Sequence, residues 1–457
     1  MINADIINTS LEKYQQNQDA KHIKDILAKA KLAKGLDFDD VAALLFVEDP
    51  ESLNELFTAA KSIKEEIYGN RIVLFAPLYI SNLCYNECTY CAFRATNKAL
   101  ARRSLSQPEI AAETKHLIDQ GHKRVLLVAG ESYSREGLQY ILDSIDTIYS
   151  TTPNYGTIRR VNVNIAPLTT QDFHQLKTAK IGTYQLFQET YHPEIYKQVH
   201  IAGKKADYRW RLYAIDRALA AGIDDVGIGI LFGLAPWRFE ILALMQHIEH
   251  LVTRFGIGPH TISVPRLEPA LGSAISEHPP FAVSDDDFKK IVAILRLAIP
   301  SAGIILSTRE NPDIRREVLA LGVSQISAGS RTNPGGYGSD NDNSDQFSLG
   351  DHRTLDEVIR DLVSAEYLPS FCTACYRSER TGKKFMHLAN EGRIKQMCSP
   401  NAILTFAEYL ADYASAETQE IGIPFVAKEL SKLPDKARKL TEKMLLELKS
   451  GVRDVYL

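Results

Sequence analysis

No stretch of this chain approaches the run of about eighteen apolar residues that a membrane-crossing helix needs, so no transmembrane span is expected. The opening MINADIINTSLEKYQQ lacks the basic and then apolar pattern of a secretory signal, and a reducing cytoplasm is the expected compartment. An excess of charge of one sign is also missing. With 53 Lys and Arg against 57 Asp and Glu, the formal net charge is −4, which gives no reason to expect nucleic acid or an anionic membrane as the main partner. There is no low-complexity tract. The hydrophobic share of 45% and charged share of 24% are those of an ordinary soluble globular protein. Cysteine is sparse, six in 457 residues, and its distribution is the most informative feature of the chain.

The six fall into two trios, Cys84, Cys88 and Cys91 in SNLCYNECTYCAF, and Cys372, Cys375 and Cys398 further on. An odd number per group would strand one thiol in any local disulfide scheme, and clustered thiols in a reducing compartment point to metal or redox chemistry. A structural zinc or a fully ligated cluster takes four protein ligands. Three thiolates on a 4Fe–4S cluster leave one iron open for a substrate or cofactor, and the amino and carboxylate groups of S-adenosylmethionine are a well-suited pair for it. Tyr90 and Phe93 are placed to shield such a site, or simply to pack. For the second trio, spaced C-x2-C-x22-C, a structural metal site with His387 as fourth ligand is the alternative.

The rest of the chain has a clear rhythm. Residues 1–70 space apolar residues at i, i+3 and i+4 and predict helices. From residue 71, apolar β-branched runs at 71–81, 124–131, 161–167, 183–190, 226–233, 260–269, 303–310 and 325–333 alternate with amphipathic helical patterns, at 106–121, 135–149, 169–179, 206–221, 237–255, 284–299 and 312–321. Eight β-α units over some 260 residues have the length and pattern of a (β/α)8 TIM barrel, with an open doubly wound sheet as the alternative. Chemistry in such barrels sits at the C-terminal strand ends, where Glu131, Gln188, Glu189, Arg266, Glu268, Arg309 and Glu310 collect. Residues 334–352 read as an irregular loop and 354–457 as a helical tail. The expected organisation is an α/β fold with a helical segment at 1–70, a barrel at 71–350 and a helical C-terminal domain at 351–457 that carries the second cysteine trio.

The C-x3-C-x2-C spacing after the first strand resembles the signature of the radical S-adenosylmethionine superfamily. There, a Gly-Gly-Glu-like segment after the second strand binds the cofactor's amino group. Here it reads Ala-Gly-Glu, so Gly130 and Glu131 carry over and the first glycine does not. CTACYRSERTG, GPHTISVPRLEPA, LSTRE and ISAGSRTNPGGY are similar to the HydG family of tyrosine lyases, maturases of iron-iron hydrogenase, from about residue 40 onward. The related 2-iminoacetate synthases share the first trio and lack the second.

That resemblance implies cleavage of the Cα–Cβ bond of L-tyrosine by a deoxyadenosyl radical, giving p-cresol and dehydroglycine. It implies conversion of the latter to carbon monoxide and cyanide at a second 4Fe–4S cluster with an additional iron. The expected cofactors are therefore two 4Fe–4S clusters and S-adenosylmethionine. The expected partners are a reductant protein such as ferredoxin or flavodoxin and other hydrogenase maturases. His260 is the candidate ligand of the extra iron, with His250 as runner-up. Arg309 is the natural partner for the tyrosine carboxylate, with Ser307 and Ser330 nearby, and Glu189 and Arg209 are candidate contacts to S-adenosylmethionine. The rival readings are a 2-iminoacetate synthase with structural C-terminal cysteines and a non-catalytic iron–sulfur carrier.

Overall fold

In a parallel barrel every strand is buried on both faces, so its strands are near-continuous apolar runs. Such runs close here into a barrel. The structure is a computed structural model; it describes all residues except 18, 133–136, 154–155, 339–343, 379–380, 385–387 and 389–393. The strands are β1 Arg71–Ser81, β2 Arg124–Ala129, β3 Arg160–Asn164, β4 Tyr184–Glu189, β5 Val226–Ile230, β6 Thr261–Ser263, β7 Gly303–Leu306 and β8 Val323–Ser327. All pair in parallel in sequence order, and β8 returns to β1 through Val73↔Gln325, Leu74↔Ile326 and Phe75↔Ser327. The expected (β/α)8 barrel is what the chain forms.

Several strands stop earlier than the apolar runs suggest. β6 spans three residues rather than ten, and Pro265, which has no N–H to donate, follows it closely. Apart from Glu189, which is the last residue of β4, the charged residues at the ends of the runs consequently sit in loops above the barrel. The helical pattern at 206–221 is broken into Tyr208–Leu212 and Ala214–Ala220. The pattern at 135–149 corresponds to Leu138–Ser150, its first two positions lying outside the described residues.

Two pairings carry no sequence signal. Glu87–Cys88 forms a short antiparallel ribbon with His200–Ala202. Within the stretch expected to be helical, Leu368–Ser370 forms a ninth strand, β9, alongside the N-terminal end of β1, through Arg71↔Leu368, Ile72↔Pro369 and Val73↔Ser370. Three residues with a central proline show no alternation to read. Among the described residues the remainder of the tail is mostly helical as expected, with Leu355–Ser364, Ile394–Asp412, Ala416–Ser431 and Asp435–Lys449 as its longer elements.

At the chain's start, Asp49 caps the helix Pro50–Ile67 by accepting from Ser52 N, with Pro50 at the favoured first position. That helix packs on Asp285–Ala298 and delivers Tyr68 and Arg71 to the lower mouth of the barrel. Nearby, fully buried Arg296 donates to the carbonyls of Pro300 at 2.8 Å, Ala302 at 2.9 Å and Gly322 at 2.7 Å, which ties the turns ahead of β7 and β8 together. Arg296→Met strands these acceptors and should lower unfolding free energy by about 2–3 kcal/mol. Chemical denaturation with an unchanged midpoint would refute this role.

Candidate active site

The upper site begins where β1 ends. The loop that follows is closed on itself by Arg102, whose guanidinium donates to the carbonyls of Asn82 and Phe93 at 2.9 and 2.8 Å and also reaches Arg94 and Asn97. Its far side is held by the ribbon to His200–Ala202 and by Thr89 N donating to Val199 O at 2.9 Å. His200 adds a further tie. Its Nδ1 lies 2.9 Å from the Tyr196 carbonyl, which only accepts, so Nδ1 carries the proton and Nε2 accepts the Tyr90 hydroxyl at 2.9 Å. Cys84, Cys88 and Cys91 thereby line one cavity together with Gly130, Glu131, Glu189, Lys205 and Arg211.

Gly130 approaches the cysteine loop too closely for any side chain, since a Cβ there would lie 2.2 Å from Leu83 O. The charged groups around it form a closed set. Glu131 bonds Arg211 Nη1 at 2.7 Å and accepts from Asn86 Nδ2 at 2.8 Å. Glu189 accepts from Lys205 Nζ at 2.7 Å and from Arg211 Nη2 at 3.4 Å. Burial pushes the Glu131 carboxyl up, but Arg211 and Lys205 more than offset it and hold it below its usual range. Two carboxylates therefore face two cations. Arg209 is exposed and lies outside this cavity, and Arg211, two residues on, stands in it. Neither Arg211 nor Lys205 stood out in the sequence. Each has a basic neighbour that faces solvent, and local pattern does not say which of the two turns inward.

Glu189 has a backbone φ of +71°, strained for a residue with a side chain. The two residues that follow are fixed by buried Glu240, which accepts from Thr190 Oγ1 and from Tyr191 N at 2.8 Å.

Below the cysteine loop, a second cavity occupies the barrel interior. It is lined by Phe75, Pro77, Tyr79, Phe187, Ser307, Arg309 and Phe347, among others. Tyr79 donates to Gln346 Oε1 at 2.7 Å, and Gln346 Nε2 lies 3.7 Å from Cys91 Sγ, which connects this cavity to the upper trio. The Arg309 guanidinium stacks on Phe347 at 3.3 Å from the ring centroid. Among the described residues it pairs with no carboxylate, whereas neighbouring Arg266 is held by Glu310 and Asp285. Ser307 lines the cavity. Ser330 is buried, its hydroxyl has no hydrogen-bond partner among the described residues, and it does not line the cavity.

The lower mouth brings Cys372, Cys375 and Cys398 into one cavity with His260, Tyr68, Arg71, Arg124, Gln325 and Tyr376. His260 Nδ1 lies 2.7 Å from the buried Asp225 carboxylate, the anchoring that orients a metal-binding imidazole. His250 pairs instead with Asp216 at 2.7 Å and is not part of this lining. His387 lies outside the described residues.

Burial pushes the thiols up, Cys84 to about 11, with Cys88, Cys91 and Cys372 shifted the same way. Three buried thiolates therefore need positive charge beside them, which iron supplies. Among the described residues no three His, Cys, Asp or Glu side chains converge as a single-ion site; each trio lines a cavity wall. The donor sets suit iron–sulfur clusters, and the upper cavity, with Gly130 and Glu131, suits S-adenosylmethionine.

Residues 78–266 match the Radical SAM superfamily, and residues 263–368 match the Biotin and Thiamin Synthesis associated domain. The 2-iminoacetate synthase of Salmonella typhimurium is 33% identical over 341 residues, which cover 74% of this chain and 88% of that one. A crystal structure of HydG, a maturase of the FeFe-hydrogenase, is 48% identical and covers 100% of this chain and 99% of its own at a TM-score of 0.97. HydG from Carboxydothermus hydrogenoformans is 43% identical at a TM-score of 0.85, covering 97% and 98%.

Burial pushes the Glu240 carboxyl up to about 7 from an ordinary 4.5. The folded state keeps this proton over a range in which the unfolded chain has lost it. Stability should therefore fall as pH rises from about 4.5 to about 7, by roughly 3 kcal/mol. Glu240→Gln should abolish that part of the pH dependence, measured by denaturation across the range. An identical pH profile in the variant would refute it.

Proposed function

Since the chain belongs to the HydG family of radical S-adenosylmethionine maturases, we propose that it cleaves the Cα–Cβ bond of L-tyrosine to p-cresol and dehydroglycine, and that dehydroglycine yields carbon monoxide and cyanide at the lower mouth. A 4Fe–4S cluster and S-adenosylmethionine are the cofactors the family implies, and when bound they supply a carbon-centred radical that abstracts hydrogen. Cys84, Cys88 and Cys91 hold this cluster, and Gly130, Glu131 and Glu189 border the space for S-adenosylmethionine, with Arg211 rather than Arg209 beside them. The exposed cysteine-loop side of the barrel takes its electron from a carrier such as ferredoxin or flavodoxin, and the iron product passes to other hydrogenase maturases.

Arg309 carries the substrate assignment. A guanidinium without a carboxylate partner among the described residues, flattened against Phe347 in a cavity with much apolar lining, is suited to a bidentate bond with the tyrosine carboxylate. Ser307, in the lining beside Arg309, could add a hydroxyl, whereas Ser330 lies outside that lining. Tyr79 and Phe187 offer aromatic faces for the phenol ring.

The observation that carries the second half of the reading is the lower trio, gathered with His260 in one cavity. Cys372, Cys375 and Cys398 would hold the second 4Fe–4S cluster, and His260 the additional iron. The likeness to 2-iminoacetate synthase supports a second reading, in which the reaction ends at dehydroglycine. The two readings diverge in one experiment. Reconstituted Cys372→Ala should still form p-cresol and should lose carbon monoxide and cyanide. If the unsubstituted protein makes p-cresol without either diatomic, the second reading holds. Arg309→Lys should retain both clusters and lower tyrosine affinity at least tenfold, and unchanged affinity in a binding titration would remove Arg309 from the site.

A further inference from the structure

Arg71 and Arg124 have no part in the assignments above. Arg71 opens β1 and Arg124 opens β2. Both are nearly inaccessible, at 8% and 6% exposure, and both line the cavity of the lower cysteine trio. Among the described residues neither forms an ion pair, and the Nε of each is buried without a hydrogen-bond acceptor. Arg124 Nη1 reaches the Cys372 carbonyl at 3.3 Å; Arg71 has no side-chain hydrogen bond of its own there.

Arg296 shows what the fold does with a buried guanidinium that has only a structural task, directing its donors onto three carbonyls. Leaving a charge buried and unsatisfied costs several kcal/mol. Two such cations side by side call for negative charge in the space between them. The cavity's own source of negative charge is the trio of thiols. β9 places it there, since its pairing with Arg71, Ile72 and Val73 ends at Ser370, two residues before Cys372.

We propose that Arg71 and Arg124 are positioning residues of the lower cluster, donating to its sulfur face and offsetting its negative charge, and so raising its reduction potential. Hydrogen bonds to sulfur and local net charge are main determinants of that potential, and a guanidinium delivers both. The inference rests on the reading of the lower trio as a cluster site. Its consequence is that the reduced, more negative form of this cluster is stabilised relative to one bounded by neutral residues.

The test uses the full chain with Cys84, Cys88 and Cys91 replaced by alanine, so that iron binds only at the lower trio. It is reconstituted and followed through a redox titration by electron paramagnetic resonance. Arg71→Gln and Arg124→Gln should each move the midpoint to lower potential, and Arg71→Lys and Arg124→Lys should stay nearer the starting value. Failure of the glutamine variants to load iron while the lysine variants load it would equally support a charge requirement. Full loading with unchanged potential in both glutamine variants would overturn the proposal. So would loss of iron in lysine and glutamine variants alike, which marks a requirement for shape. If the arginine-intact protein binds no iron at this trio, the cluster reading itself falls, and that is visible before any arginine is changed.

Discussion

The pairing of β1 with three other strands is the constraint on which both sites depend. One edge of its eleven residues receives β8, and the other receives β9 near Arg71 and β2 from Ala76 onward. Because side chains alternate along a strand, its odd positions form one inward row. Arg71 and Val73 border the lower cavity, and Phe75, Pro77 and Tyr79 border the upper interior. A slip of one residue in β1 would turn every one of these side chains outward and would break both cavities together. Three partners in parallel register make that slip prohibitive.

From the top of β1 the order passes outward by hydrogen bonds. Tyr79 fixes Gln346, which reaches Cys91, so the interior cavity and the cysteine loop share a wall. Gln346 comes from the irregular stretch after β8, and Thr332 receives Gln346 N through its carbonyl at 3.1 Å. A loop without regular structure is thus tied at both its backbone and its side chain where it covers the cavity. Arg309, stacked on Phe347 of the same loop, faces the interior and, unlike Lys205, has no carboxylate partner among the described residues. Binding residues borne by loops on a rigid barrel are the usual arrangement of this fold.

These ties explain what could be read in advance. The eight strands were legible because double burial makes parallel strands long apolar runs, and the cysteines because their chemistry is tied to spacing. Gly130 and Glu131, expected from the family likeness and their place after β2, do border the upper trio, and Arg309, after β7, and His260, just before β6, line the interior and lower cavities. β9 was not, because three residues containing proline carry neither alternation nor β-branched enrichment. Lys205 and Arg211 were not, because a buried lysine or arginine differs from its exposed neighbour only in tertiary partners. For Lys204 and Lys205, adjacent in sequence, one lies over Trp210 near solvent and the other pairs with Glu189 inside. The same holds for Arg71 and Arg124, which line a cavity with cysteines some 250 to 330 positions away.

The two ends of the barrel also differ in how they treat charge. Above, Glu131 and Glu189 are matched by Arg211 and Lys205, so the surrounding side chains add no net charge to three thiols. A ligand that carries a positive centre meets no excess of cations there, and S-adenosylmethionine, a sulfonium, is such a ligand. Below, Asp225 is occupied by His260, and Arg71 and Arg124 remain as two cations with no carboxylate against them among the described residues. Interactions between charges are strong in such low-dielectric surroundings, so this difference is not erased by solvent. Two trios of thiols are therefore placed in different fields, a neutral one that accommodates a cationic cofactor and a positive one that favours added electrons and anionic ligands. Cyanide, the anionic product proposed for the lower mouth, belongs with the second.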